Sequence, residues 1–125
     1  MTKRLVAAVC IILIALTVGI FSYLYIKNAS DEIVCAAEKL NERILSGKEY
    51  LPEYEAFCSL SVKHLPYFSM ILKHSDADVI KNSLISLEYA VKSDDTARIS
   101  IILSELIAFI TVIAEGEKPA AENIF

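Results

Sequence analysis

The fold is decided near the start of the chain by LVAAVCIILIALTVGIFSYLYI, residues 5–26, which carries no charged side chain. As a helix rising about 1.5 Å per residue, this stretch can cross the roughly 30 Å hydrocarbon core of a bilayer. The stretch is longer than the apolar region of a secretory signal peptide. A cleavage site after Ala29 would need a small side chain two residues earlier, where the sequence has Lys27. We expect a retained transmembrane signal-anchor helix.

The charges beside this segment predict its orientation. Lys3 and Arg4 precede it, so the positive-inside rule places residues 1–4 in the cytoplasm and residues 27–125 outside, on a single-pass protein of the cell membrane. All sixteen Asp and Glu but only ten Lys and Arg follow residue 26, which gives the extracytoplasmic part a formal charge of −6. This acidic balance disfavours nucleic acid and anionic lipid as partners.

The extracytoplasmic part is long enough for one compact domain. The whole chain has only three Gly and three Pro, and its β-branched residues show no sustained alternation. We expect an all-α protein, with the N-terminal transmembrane helix followed by a small antiparallel helical bundle of about four helices. The bundle would be up-and-down or two stacked hairpins.

Four apolar stripes at helical spacing predict the buried faces of these helices. In chain order they are Ile33, Ala37, Leu40 and Ile44; Phe57, Leu60, Leu65, Phe68, Ile71 and Leu72; Ile80, Leu84, Leu87 and Val91; and Ile99, Ile102, Leu103, Leu106, Ile110 and Ile113.

The start of the first exterior helix has two interpretations. Ser30 can cap a new helix, with acidic residues following in its first turn. Because no Gly or Pro separates Ile26 from Ser30, the membrane helix can equally run unbroken into the exterior part. Gly47 is predicted to end the helix.

Cap residues and prolines set the next boundaries. The second helix is expected from about Pro52 to about Lys73, kinked or divided at Pro66, whose ring nitrogen cannot donate a hydrogen bond. Ser75 is the predicted cap of the third helix, and the turn at residues 93–95 caps the fourth.

The fourth helix is expected to end at Gly116 and Pro119. Its apolar stretch, residues 99–114, is short for a membrane span and contains Glu105, so we interpret it as a bundle helix.

Several short motifs resemble a known family. They are the basic-then-apolar N-terminus, Ser30-Asp31-Glu32, His74-Ser75-x-x-Asp78-x-Ile80, Leu84-x-x-Leu87 and the closing Asn123-Ile124-Phe125. Together they resemble bacterial small single-pass membrane proteins of the domain of unknown function 4363. The resemblance implies the fold and the topology and carries no activity.

One corner of the chain has the residue types of a ligand or metal site. His74, Asp76 and Asp78 offer an imidazole and two carboxylates, but His64 is ten residues away and no Cys lies at ligand spacing. We interpret the three as helix-end residues that interact with the helix dipoles. No phosphate loop or nucleophile motif is present, so we expect neither an enzyme nor a cofactor.

A disulfide between Cys35 and Cys58 would require their side chains to face each other. Cys35 and Cys58 lie equally far from the turn near Gly47, and an exterior compartment permits a disulfide. At 100° per residue, however, Cys35 points away from its helix's apolar stripe. A free or intermolecular Cys35 is therefore favoured over a bond to Cys58, which is expected to pack.

Two surfaces are candidates for contact with partners. Ala15 and Gly19 form a small-xxx-small pattern that permits close packing with another membrane helix or a homodimer. Tyr50, Tyr54 and Tyr67 could form an exposed aromatic patch, whereas Tyr23 and Tyr25 are expected at the lipid interface.

An anchor with a packed domain and no catalytic motif suggests an interaction or accessory protein for another membrane or envelope protein. The alternative is an extracytoplasmic domain that senses a ligand or ion and acts through a partner.

Overall fold

A single helix joins the apolar segment to the rest of the molecule. The computed structural model describes residues 2–116, and helix α1 runs unbroken over Thr2–Leu45, 44 residues or about 66 Å. Ser30 lies inside this helix and is 3% exposed, so it is not a cap. Of the two interpretations, continuity is the correct one, because no residue between Ile26 and Ser30 interrupts the backbone hydrogen bonds.

The two parts of α1 differ in their surroundings. Every side chain from residue 2 to residue 21 is exposed, and by length and composition this part qualifies as a candidate membrane span. From Ile26 onward, one face is buried at steps of three or four residues, which is helical periodicity. The second part of α1 is therefore one wall of a bundle.

Three further helices complete this bundle: α2 (Leu51–Ile71), α3 (His74–Lys92) and α4 (Thr96–Gly116). Each helix packs against the next one along the chain, and α4 returns to pack against α1. Within residues 2–116, the diagonal pairs make no contact. The helices thus form an antiparallel ring, which confirms the predicted fold class and selects the up-and-down arrangement.

The predicted stripes make up the core. Every residue of the four stripes is buried or half-buried, and Phe57 and Phe68 are the largest of the fully buried side chains. Helix α4 is apolar enough to be a second candidate span by length and composition. Its stripe, however, packs against α1 and α3, as expected of a bundle helix.

The turn after α1 depends on a glycine. Gly47 has φ +70°, and its N–H donates to the carbonyl of Ile44, while the N–H of Lys48 donates to the carbonyl of Arg43. This pair of bonds is a Schellman motif, which needs a left-handed residue that glycine provides without strain. The predicted end of the helix at Gly47 is confirmed.

The predictions for the next boundaries had mixed outcomes. Ser75 as a cap was wrong, because α3 begins earlier, with Lys73 as the cap residue accepting the first backbone bonds. Asp95 does cap α4, since its Oδ1 accepts a 3.2 Å hydrogen bond from the N–H of Arg98. Pro66 does not divide α2, which continues through it.

Helix α4 is described as far as Gly116, which is also the last described residue, so its predicted end there stays a prediction. Pro119 and the closing motif at residues 123–125 lie outside the described residues.

Candidate functional site

A chain of three polar side chains connects α2 to α1 where the candidate span meets the bundle. Tyr25 and Glu32 are seven residues apart on α1, so two helical turns place them on one face. His64 of α2 lies between them and is 6% exposed. A buried imidazole must satisfy both ring nitrogens, and these two side chains provide the partners.

The distances in this chain fit two hydrogen bonds. The Tyr25 hydroxyl lies 2.6 Å from Nδ1 of His64, and Nε2 of His64 lies 3.2 Å from Oε2 of Glu32. With the proton on Nε2, the Tyr25 O–H donates to Nδ1 and the ring N–H donates to the carboxylate. We call Tyr25, His64 and Glu32 the junction chain.

Aromatic rings enclose the junction chain. The ring centroids of Tyr25 and Tyr67 are 5.5 Å apart, and His64 stacks on Phe68 with the centroids 6.2 Å apart. These contacts exclude water from the imidazole and hold its orientation, which strengthens the two hydrogen bonds.

The residues of the junction chain differ in exposure. The Glu32 side chain is 54% exposed, whereas that of His64 is 8% exposed. The junction chain therefore runs from the packed interior of the bundle to solvent at Glu32.

The sequence contained a signal that His64 is buried, which was missed because His64 was considered only as a distant partner for His74. His64 continues the buried series Phe57, Ser61 and Phe68 at spacings of three and four residues. A histidine in an apolar register needs polar partners from another element. Tyr25, which is expected at the lipid interface, also packs against the core of the bundle.

The three tyrosines of the predicted patch do not form one surface. Tyr50 is half-buried at the far end of the bundle, where its hydroxyl donates to Oδ1 of Asp94 at 2.6 Å. This hydrogen bond, then burial, raises the pKa of Tyr50 to about 12. Tyr54 is half-buried against the core, where burial is the largest cause of its raised pKa. Only Tyr67 is exposed, at 54%.

The thiols are free in the structure. Cys35 is exposed, as its angular position predicts, and Cys58 is half-buried. Burial raises the pKa of the Cys58 thiol, partly opposed by a hydrogen bond from Tyr54. Cys35 lines an open groove of about 580 Å³ between α1 and α2.

The His74 corner stays apart from the junction chain. His74 and Asp78 are exposed and Asp76 is half-buried. Among the described residues, no group of three or more His, Cys, Asp and Glu side chains is arranged to hold a metal ion.

The small-residue pair of the candidate span is open to a neighbour. Ala15 and Gly19 are exposed, and a methyl group added at Gly19 would meet no atom within 4 Å.

Comparison with protein families gives one match. The family described as Domain of unknown function (DUF4363) matches residues 20–124. The chain belongs to the DUF4363 family. The matched range begins inside the candidate span, so the DUF4363 unit contains the whole junction chain together with the bundle. Neither the curated proteins nor the solved structures yielded a match.

Proposed function

We propose that this DUF4363 protein is a membrane-anchored, extracytoplasmic interaction module, an accessory subunit for another membrane or envelope protein. The observation that carries the proposal is the continuity of α1, which is both the candidate span and a wall of the bundle. A partner that packs against the span would therefore fix the direction in which the bundle points. Residues 1–4 would be cytoplasmic, by the positive-inside rule.

The surfaces of α1 support this role. Its side chains from residue 2 to residue 21 are exposed, so they are available to lipid and to another helix. Ala15 and Gly19 offer a place where two backbones can approach closely. Such a contact could equally form a homodimer.

The junction chain supports the same role. Its hydrogen bonds join Tyr25, in the last turn of the candidate span, to α2. Close packing holds α2 against α1, and directional hydrogen bonds further favour one arrangement of the two helices. The bundle and the span would then act as one body.

The experiment is site-specific photocrosslinking at native expression, followed by mass spectrometry. One crosslinker replaces Val18 in the span and another replaces Val62 on the bundle, both exposed positions. The proposal predicts that the same heterologous protein is captured from both. Capture of the protein itself alone, or of nothing, contradicts the accessory role.

A matched pair of variants tests the coupling. Lys27 and Asn28 are both exposed, so changing them affects few contacts. Two glycines there weaken the helix by about 2 kcal/mol relative to two alanines. Capture from Val62 should decrease in the Gly-Gly variant and persist in the Ala-Ala variant. Equal capture in both contradicts a rigid connection.

The alternative is sensing of an ion, and the buried imidazole of His64 is what favours it. The groups that face this ring are Tyr25 and Glu32 from α1 and the aromatic side chains of α2. Sensing of protons predicts that the melting temperature changes differently between pH 7.5 and pH 5 in the wild type and in His64→Phe. Parallel changes in both proteins count against it.

A further inference from the structure

The end of α2 reaches the level of the candidate span. The ring of Tyr67 lies beside that of Tyr25, with centroids 5.5 Å apart, and α2 runs antiparallel to α1. After Tyr67, α2 continues to Ile71, which is about one further turn or roughly 5 Å. This turn, with Met70 on it, therefore lies beside α1 residues that precede Tyr25.

The end of α4 reaches the same level on another side of α1. Thr111 and Ala114 line a small groove together with Tyr23 and Lys27. Two helices thus place the base of the bundle level with the last turns of the apolar segment.

The length of the apolar segment, residues 5–26, shows where the base of the bundle would lie relative to a bilayer. Residues 5–26 span about 33 Å as a helix, against a hydrocarbon core of roughly 30 Å. With Lys3 and Arg4 at the inner surface, the outer boundary of the core falls near residue 24. Met70 and Tyr67 then lie in the outer interfacial layer.

The side chains of this corner suit that layer. Met70 is 82% exposed and Tyr67 is 54% exposed, an unfavourable arrangement in water but a suitable one among lipid headgroups, where tyrosines are enriched. Lys73, at the start of the turn to α3, is exposed and can extend its ammonium group towards phosphates.

The charge pattern is an independent observation. Residues 56–75 contain Lys63, Lys73 and both histidines but no Asp or Glu, although the chain has sixteen acidic residues. Acidic residues are therefore absent from the last turns of α2, where they would repel lipid phosphates, whereas Glu115 lies in the groove at the end of α4.

We infer that the corner formed by Tyr67, Met70 and Lys73 inserts into the outer interfacial layer of the lipid bilayer as a second membrane contact of the bundle. The inference rests on the proposed membrane anchor. The occupant of the corner is lipid, because the corner continues the surface of the span and carries the charge that phosphates attract.

The experiment measures depth by electron paramagnetic resonance on the full chain in phosphatidylcholine bilayers. A nitroxide is placed at Met70→Cys with the native cysteines replaced, and its collisions with oxygen and with a water-soluble nickel chelate are compared. The matched control is Val62→Cys, an exposed apolar position on the same helix, 68% exposed and about 12 Å farther from the membrane. A third variant that keeps Cys10 as its one cysteine carries the label in the span itself.

The inference predicts an oxygen-to-nickel ratio at position 70 that is higher than the ratio at position 62 and lower than the ratio at position 10, because the interfacial layer lies between water and the hydrocarbon core. Equal, water-like ratios at 70 and 62 with a lipid-like ratio at 10 overturn the corner contact and leave the anchor intact. A water-like ratio at position 10 overturns both. Helix content by circular dichroism confirms that each variant folds.

Discussion

The hydrogen bond between Tyr25 and His64 can be measured by a double-mutant cycle. Tyr25→Phe removes the hydroxyl and leaves Nδ1 of a 6%-exposed imidazole without its partner. A lost buried hydrogen bond with an unpaired acceptor costs about 2 kcal/mol. His64→Phe keeps a ring to stack on Phe68 but removes both hydrogen bonds of the junction chain, so we expect a cost of about 2–3 kcal/mol.

The cycle then isolates the pair. If the two side chains interact as the 2.6 Å distance indicates, the double variant should be destabilised less than the sum of the single variants, by about 1 kcal/mol. Thermal unfolding of the full chain in detergent micelles, followed by circular dichroism, measures this. For a bundle of this size, about 1 kcal/mol corresponds to a shift of about 4–8 °C.

The control is Lys63→Ala, next to His64 on the exposed side of α2, for which we expect a change within about 0.5 kcal/mol. Additive costs of the two single variants would refute the hydrogen bond. If both single variants were as stable as Lys63→Ala, the junction chain would make no contribution to the stability of the bundle, and this account of it would be refuted.

Three further predictions follow from individual residues. Cys35 should react with a maleimide at least about tenfold faster than Cys58, because Cys35 is exposed and burial raises the pKa of the Cys58 thiol; equal rates in a mass-spectrometric time course would contradict the structure. The hydrogen bond from Tyr50 to Asp94 raises the pKa of Tyr50 to about 12. The stability that this bond adds is therefore complete below pH 10, the pKa of an unfolded tyrosine, and is lost as the pH rises through 12. Tyr50→Phe should not show this loss of stability in thermal melts between pH 8 and pH 12. Gly47→Ala should lower the free energy of unfolding by about 1 kcal/mol through backbone strain alone, because the added methyl meets no atom within 4 Å; Gly47→Asn should cost less.

The core could be predicted from the sequence because helical periodicity is a local property. The stripe from Ile33 to Ile44 and its three counterparts follow from spacing, and every residue in them is buried or half-buried. The exposure of Cys35 followed in the same way from 100° per residue. The end of α1 at Gly47 could be predicted because the chemistry of a Schellman motif depends on one residue.

Features that depend on two distant segments could not be predicted. Tyr25 and His64 are 39 residues apart, and their contact requires both the continuity of α1 and the register of α2 against it. Tyr50 was expected on an exposed patch, but an aromatic ring can pack while its hydroxyl bonds to a distant side chain, here Asp94. Ser30 and Ser75 are both typical cap residues, but neither caps a helix. Ser30 is buried inside α1, and α3 already begins after Lys73.

The candidate span and the wall of the bundle are parts of one unbroken helix, and the proposed function depends on this continuity. The most direct test is the distance between nitroxides at Val18 and Glu38, two exposed positions on α1, by pulsed dipolar spectroscopy in bilayers diluted with unlabelled protein. Twenty residues of continuous helix predict a narrow distribution centred near about 30 Å. A broad distribution, or a mean well below that value, would show a hinge between the two parts of α1 and contradict the claim.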